Sequence, residues 1–286
     1  MGQPPSGRMR LGKIGFLNVL PIYYPLESGI VSHPFKIISG IPAYLNGLMA
    51  AGGLDLSVVS SIEYAYHPER YFILPDLSIS CCGPVQSVLL LSRVPIDRLE
   101  GETVFVSTQS HTSVALLKVL FSIHLGIRAD FEPADCSEAL TRGRHPTAFL
   151  AIGDEALRLR VHDDYPFRWD LGEVWREWTD HPFVFALWVV QRKAVQVWNG
   201  RLRNAIEALS AAKEWGNTHR AEICEEALQR NILGWEELHS YYQGLAYDLS
   251  RAEQKGLRLF YRYLVEIGEI SKMPRLEIYS PLADVA

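Results

Sequence analysis

The chain has 286 residues, 48% of them hydrophobic and 21% charged, which gives ample length for a buried core and a prior of about two domains. A net charge of −5 without any block of like charges removes the electrostatic footprint of a nucleic-acid binder. No stretch is apolar for long enough to cross a membrane, so no membrane partner is expected.

The start, "MGQPPSGRMRLGKIGF", lacks the apolar core of a signal peptide; residues 1–9 read as a flexible leader and the protein as cytoplasmic. "LGKIGFL" (11–17) and "PFKIISGI" (34–41) read as strands. Residues 41–53 have helical character and end on Gly52 and Gly53. "LDLSVVS" (54–60) is a short buried strand, "SIEYAYHPER" a short helix or turn, and "FILPDLSISCCG" and "VQSVLLLSRV" two further strands. A second unit begins near residue 101 with the strand "TVFVS" (103–107), the polar turn "TQSHTS" and an apolar helix (114–126) closed by Gly126. Strand, helix, strand and helix then alternate to residue 161, the pattern of a doubly wound parallel sheet. "PFVFALWVVQ" (182–191) is a long apolar strand suited to cross back to the first unit, and from about residue 199 the pattern is helical. The expected organisation is therefore an α/β molecule with one lobe from residues 10–101 and 192–286 and another from 102–191. Ligand is expected in the cleft beyond the carboxyl ends of the strands.

Asn18, in "GFLNVLPIYYPL", poses the first chemical question. Asn is depleted in strands, and this one has apolar neighbours on both sides. It either caps backbone before Pro21 or turns its carboxamide toward a ligand. In "VSTQSHTSVALL" a strand delivers Ser110, Thr112 and Ser113 into the start of a helix. One hydroxyl suffices for a cap, so three suggest an anion site as well, a small carboxylate rather than a nucleotide because no G-x-x-x-x-G-K occurs. His111 in the same turn is a solvated residue, an anion donor or a general base. Gln86 and Ser87 open a strand after Gly-Pro; Ser60 and Ser61 stand where a strand ends; Asp154 lies between a strand and a helix. Gln86 and Ser87 are either a polar strand entrance or ligand contacts, Ser60 and Ser61 stand at the cleft edge of such a lobe, and Asp154 is either an N-cap or a ligand contact. Trp175, Trp178 and Trp188 serve as packing or as stacking surfaces for a ring. Cys81 and Cys82 are adjacent and no C-x-x-C occurs, so the four cysteines suit reduced thiols in a reducing compartment. No histidine has metal-ligand spacing, and neither a Ser/His/Asp set nor a Gly-rich dinucleotide turn is visible. The residues alone describe a two-lobed binder of a small anion, with or without catalysis.

Taken together and in order, "IGFLNVLPIYYPL", "GPVQSVLLLS", "TSVALLKVL", "AIGDEAL" and "DLGEVWREWTDHPFVFALWVV" resemble the chorismate dehydratases of the futalosine route to menaquinone, from about Arg10 to about Leu276. The sister family acting on cyclic dehypoxanthine futalosine usually starts with a Ser-Pro-Cys-Pro-Asn-Asp type segment, where this chain reads "GFLNVLP". The resemblance implies a fold like the type II periplasmic binding proteins and conversion of chorismate to 3-[(1-carboxyvinyl)oxy]benzoate with loss of water. It implies no metal and no organic cofactor. The family's functional Asn and Ser fall on Asn18 and Ser87, which makes these the expected catalytic residues. Ser60, Ser61, Gln86, Ser110, His111, Thr112, Ser113 and Asp154 are the expected substrate contacts. The proton acceptor is left between the substrate's own enolpyruvyl carboxylate and His111. A non-catalytic carboxylate-binding protein of the same fold, and the sister enzyme, are the rival functions.

Overall fold

The structure is a computed structural model that describes residues 7–198 and 200–280. The strands are β1 Met9–Lys13, β2 Phe35–Ser39, β3 Leu56–Ser60, β4 Tyr71–Cys81, β5 Val88–Ser92, β6 Thr103–Ser107, β7 Asp130–Ala134, β8 Ala148–Ile152, β9 Phe167–Asp170 and β10 Phe183–Gln191. They form two five-stranded sheets, ordered β2-β1-β3-β10-β4 and β7-β6-β8-β5-β9. Connecting them are α1 Leu20–Glu27, α2 Pro42–Ala50, α3 Ser61–Tyr66, α4 His111–Val119, α5 Cys136–Thr141, α6 Gly153–Leu159 and α7 Leu171–Thr179. After β10 the chain is helical: α8 Arg192–Trp198, α9 Arg201–Thr218, α10 Arg220–Leu228, α11 Trp235–Gly244 and α12 Arg251–Glu266. The leader ends earlier than expected, because Met9 is already a fully buried residue of β1; residues 1–6 lie outside the described residues.

The wholly parallel sheet expected for the second unit is instead mixed. β6 runs parallel to β7 and β8, whereas β5 runs antiparallel to both β8 and β9. β5 also departs from the expected lobe boundary near residue 101, since it pairs in the second sheet. Its run Val88–Leu91 is buried on both faces, so periodicity marks it as a central strand without saying of which sheet. The chain thus crosses between the sheets twice, at 82–87 and at 171–182. Both crossings leave from neighbouring positions: Cys81 faces Phe183 in the first sheet, and Leu89 faces Asp170 in the second.

β10 holds the first sheet together, antiparallel to both β3 and β4, with every residue from Phe183 to Val190 buried. Side chains of this kind each contribute roughly 1.5–3 kcal/mol by leaving water. Trp175 and Trp188 are fully buried, and Trp178 stacks on Tyr263 with centroids 4.8 Å apart, so packing is the observed role of all three. α1 lies against α9 at van der Waals limit: a Cβ on Gly216 would stand 2.0 Å from the Pro21 carbonyl oxygen. This close seat fixes α1, and with it the turn that precedes it. The apolar helix after β6 is α4 followed by a single π-helical stretch, Leu120–Leu125, which Gly126 closes at φ +69° as expected.

Candidate functional site

A cleft of about 930 Å³, its open mouth included, lies between the two sheets. Phe16, Asn18, Ser60 and Phe185 line it from first-sheet elements, and Ser87, Ser110, His111, Ser113 and Gly153 from second-sheet elements. Pro42, Ala43 and Asn46 of α2 complete the lining.

Asn18 sits in a 3-10 turn, Leu17–Val19, that runs into α1. No side chain caps either the turn or α1, which removes the capping reading of Asn18. Its carboxamide oxygen is buried and has no hydrogen-bond partner. A buried acceptor left bare costs about 1–3 kcal/mol. The backbone around it, by contrast, is held by three long-range hydrogen bonds. The Leu17 N–H donates to Asp154 Oδ1 at 3.0 Å, the Tyr242 hydroxyl donates to the Leu17 carbonyl at 3.1 Å, and the Tyr247 hydroxyl donates to the Asn18 carbonyl at 2.8 Å.

Ser87 is buried at the end of the first crossing. Its hydroxyl donates to the Val85 carbonyl at 3.3 Å and accepts from the Tyr241 hydroxyl at 3.3 Å. The preceding residue, Gln86, has φ +60°, a backbone conformation uncommon outside glycine. Asp170, at the end of β9, secures this loop: its carboxylate accepts the Val85 and Gln86 N–H groups at 3.0 and 2.6 Å while also capping α7. The Ser87 carbonyl accepts the Gly153 N–H at 2.7 Å. Gly153 has φ +57°, and a Cβ there would meet the Phe16 ring at 2.8 Å, so both conformation and space require glycine.

At the start of α4 the Ser110 hydroxyl caps the helix by accepting the Ser113 N–H at 3.2 Å, and the two hydroxyl oxygens lie 2.9 Å apart. The first N–H groups of α4 carry the positive end of its dipole. His111 is exposed there. Ser60 stands at the N-cap of α3 without a capping bond and lines the cleft.

Four expected contacts lie outside the lining and have other partners. Ser61 and Thr112 join α3 to α4: Thr112 Oγ1 accepts the Ile62 N–H at 3.1 Å and lies 3.4 Å from Ser61 Oγ. The Gln86 carboxamide donates to Ser240 Oγ at 3.3 Å. Asp154 holds the Leu17 N–H and faces Arg230 at 3.5 Å; burial raises its carboxyl above the usual range despite these partners. The sequence reading missed Asn46, Thr108 and Gln109 in the lining, and Tyr241 behind Ser87. The run "TQSHTS" signals Thr108 and Gln109 by its polarity, whereas Tyr241 is far along the chain and has no local signal. Among the described lining residues no Lys, Arg, Asp or Glu occurs. What the lining offers an anion is therefore hydroxyls, backbone dipoles and the imidazole of His111.

Two sheets joined by paired crossings, with hydroxyls, a carboxamide and a helix N-terminus gathered in the cleft between them, define a two-lobed α/β fold of the periplasmic-binding-protein type. The periplasmic aliphatic sulphonate binding protein of Escherichia coli superposes with TM-score 0.68 at 12% identity over 97% of this chain and 93% of its own. A protein of Archaeoglobus fulgidus superposes with TM-score 0.70 at 20% identity over 93% and 99%. Within this class, the chain belongs to the menaquinone biosynthesis family, whose model matches residues 9–266. It is 29% identical over 265 residues to a chorismate dehydratase of Thermus thermophilus, covering 87% of this chain and 93% of that protein.

Proposed function

We propose that the chain is a chorismate dehydratase, forming 3-[(1-carboxyvinyl)oxy]benzoate and water. The observation that carries the reading is Asn18: a buried carboxamide oxygen without a partner, on a firmly held turn, in one cleft with Ser87 and the start of α4. The likeness to a protein named chorismate dehydratase supports it.

The chemistry suits such a cleft. Chorismate carries two carboxylates and a ring hydroxyl. Its ring C–H beside the enolpyruvyl ether is vinylogous to the ring carboxylate, so loss of that proton spreads charge through the ring alkene into this group. Departure of the neighbouring hydroxyl then gives an aromatic ring. Aromatisation supplies driving force, and the protein's task is to orient the substrate and stabilise the growing charge. Ser110, Ser113 and the N–H groups of α4 are the donors for the ring carboxylate. Asn18 and Ser87 orient the enolpyruvyl carboxylate and the departing hydroxyl; Ser60 is a further substrate contact. The enolpyruvyl carboxylate takes the proton, which leaves with the hydroxyl as water. No cofactor enters this scheme. We place the reaction in the cytoplasm, in keeping with the free thiols of Cys81, Cys82, Cys136 and Cys224.

Incubation of the purified protein with chorismate tests the proposal. The expected result is a product one water lighter with the ultraviolet spectrum of a substituted benzoate. Saturable binding of chorismate without product would instead make the protein a receptor, and consumption of cyclic dehypoxanthine futalosine would make it the sister enzyme.

A further inference from the structure

The residue that bears the bare carboxamide is held by parts of the chain remote from it. Arg230, just beyond α10, donates to the Gly15 carbonyl and faces Asp154 Oδ2 at 3.5 Å. Asp154, in the first turn of α6, accepts the Leu17 N–H at 3.0 Å. Tyr242 and Tyr247 hold the carbonyls of Leu17 and Asn18 at 3.1 and 2.8 Å. Of these four, Asp154 alone follows a strand of the second sheet, β8; the others come from the helical segment after β10. The turn carrying Asn18 is therefore clamped by its own side of the cleft through three groups and by the opposite side through one carboxylate.

We infer that Asp154 is a positioning residue, which sets the Asn18 turn across the cleft through the Leu17 N–H and touches no substrate itself. Its placement supports this. The carboxylate is absent from the lining of the main cleft and lines instead an adjoining hollow, which also holds Gly15 and shares Phe16 with the cleft. Its Oδ1 is committed to Leu17 and its Oδ2 faces the guanidinium, so its acceptor capacity is directed at protein. The bond joins elements of opposite sheets, so it ties the turn that carries Asn18 to the other side of the cleft. Misplacement of a reacting group by a fraction of its bond length to substrate lowers rate by as much as roughly 10²-fold.

The inference rests on Asn18 acting on chorismate, and two readouts keep the two ideas separable. The first is kinetic, on Asp154→Ala, Asp154→Asn, Asn18→Ala and the Asp154→Ala/Asn18→Ala double variant. Expected is a fall in kcat of roughly 10–10² for Asp154→Ala at nearly unchanged KM, recovery to within a few fold in Asp154→Asn, which keeps an oxygen for Leu17, and a double variant no slower than Asn18→Ala. Multiplicative losses with a raised KM would make Asp154 a substrate contact and overturn the inference. The second readout needs no substrate: amide hydrogen exchange of residues 15–19. Expected is loss of protection in Asp154→Ala, with β10 protected as before and Asp154→Asn like the wild type. Unchanged protection at 15–19 in Asp154→Ala overturns the clamp, whatever the wild-type protein does with chorismate. A wild-type protein inert toward chorismate removes the proposed function and leaves the exchange result standing.

Discussion

Gly153 joins the two halves of the candidate site, and replacing it with alanine has a cost that can be worked from the structure. The residue has φ +57°, and the left-handed region costs an L-residue roughly 1–2 kcal/mol. Alanine also loses less backbone freedom on folding, which returns about 0.4–1 kcal/mol. The new Cβ would lie 2.8, 3.0 and 3.3 Å from three carbons of the Phe16 ring, inside ordinary contact distance, so the ring must shift. Phe16 is half-buried and lines the cleft, so it has somewhere to go, and that place is the space proposed for substrate. Strain less the returned freedom is about 0–1.6 kcal/mol and forcing the ring aside adds roughly 1–3, so the destabilisation is about 1–4 kcal/mol, read as a lower urea midpoint at constant m-value. A rise in KM for chorismate of several fold accompanies it as the ring intrudes. In a Phe16→Ala background the collision disappears and only backbone strain remains, so the alanine at 153 costs less there. A Gly153→Ala protein within 0.5 kcal/mol of wild type, or a cost identical in both backgrounds, refutes the reasoning; the threshold of about 0.5 kcal/mol is the ordinary scatter of surface substitutions.

Asn18→Ala and Ser87→Ala should each lower turnover by roughly 10²–10³, the usual loss on removing a charge-stabilising donor; steady-state kinetics with both variants within tenfold of wild type would reject their roles. His111→Ala should keep most of the turnover if the substrate's own carboxylate is the base; abolished turnover with intact chorismate binding would transfer the role to the histidine. Lys213, buried beneath Asp76 and Asp248 at 2.6 and 2.7 Å, titrates above its ordinary value of 10.5 because the two carboxylates outweigh its desolvation. A cation raised in the folded state stabilises fully below its unfolded pKa and loses that contribution as pH rises through the folded one. Urea midpoints should therefore show Lys213→Met weaker than wild type at neutral pH, with the gap narrowing only above about pH 10.5.

What could be read from the sequence follows from where the physical signal lies. Strands such as β6 and β10 announce themselves by apolar runs between polar turns, and Gly126 ends its helix because only a left-handed residue fits there. The cluster at the start of α4 was legible for the same reason: a cap, an exposed histidine and the preceding Thr108 and Gln109 are consecutive. The side to which β5 belongs has no local signal, because sheet membership depends on pairing partners distant in sequence, Ala148–Ile152 and Phe167–Asp170. Asp154 had both local signatures of a ligand contact, a strand before it and a helix after it. Its actual partner, the Leu17 N–H, is 137 residues away and leaves no trace in either segment. The same holds for Tyr241 and Ser87, 154 residues apart.

The absence of Lys and Arg from the described lining bears on the proposed chemistry in a way that binding alone does not explain. A receptor for a dicarboxylate gains affinity from guanidinium forks, which match carboxylates in geometry and charge. A nearby cation, however, lowers the pKa of a carboxylate and so weakens it as a base. If the enolpyruvyl carboxylate is to take the ring proton, a cation beside it would oppose the reaction. Hydroxyls, a carboxamide and a helix N-terminus orient the group while leaving more of its basicity. They also serve the other carboxylate, where charge grows, because fixed dipoles need no reorganisation as it develops. On this reading the pocket forgoes affinity for its substrate in favour of the step that follows. Introducing a cation is the sharpest check: Ser60→Lys should tighten chorismate binding measured by calorimetry while slowing its turnover. Tighter binding together with equal or faster turnover would mean either that the substrate's carboxylate is not the base or that Ser60 faces the ring carboxylate, where a cation stabilises the growing charge.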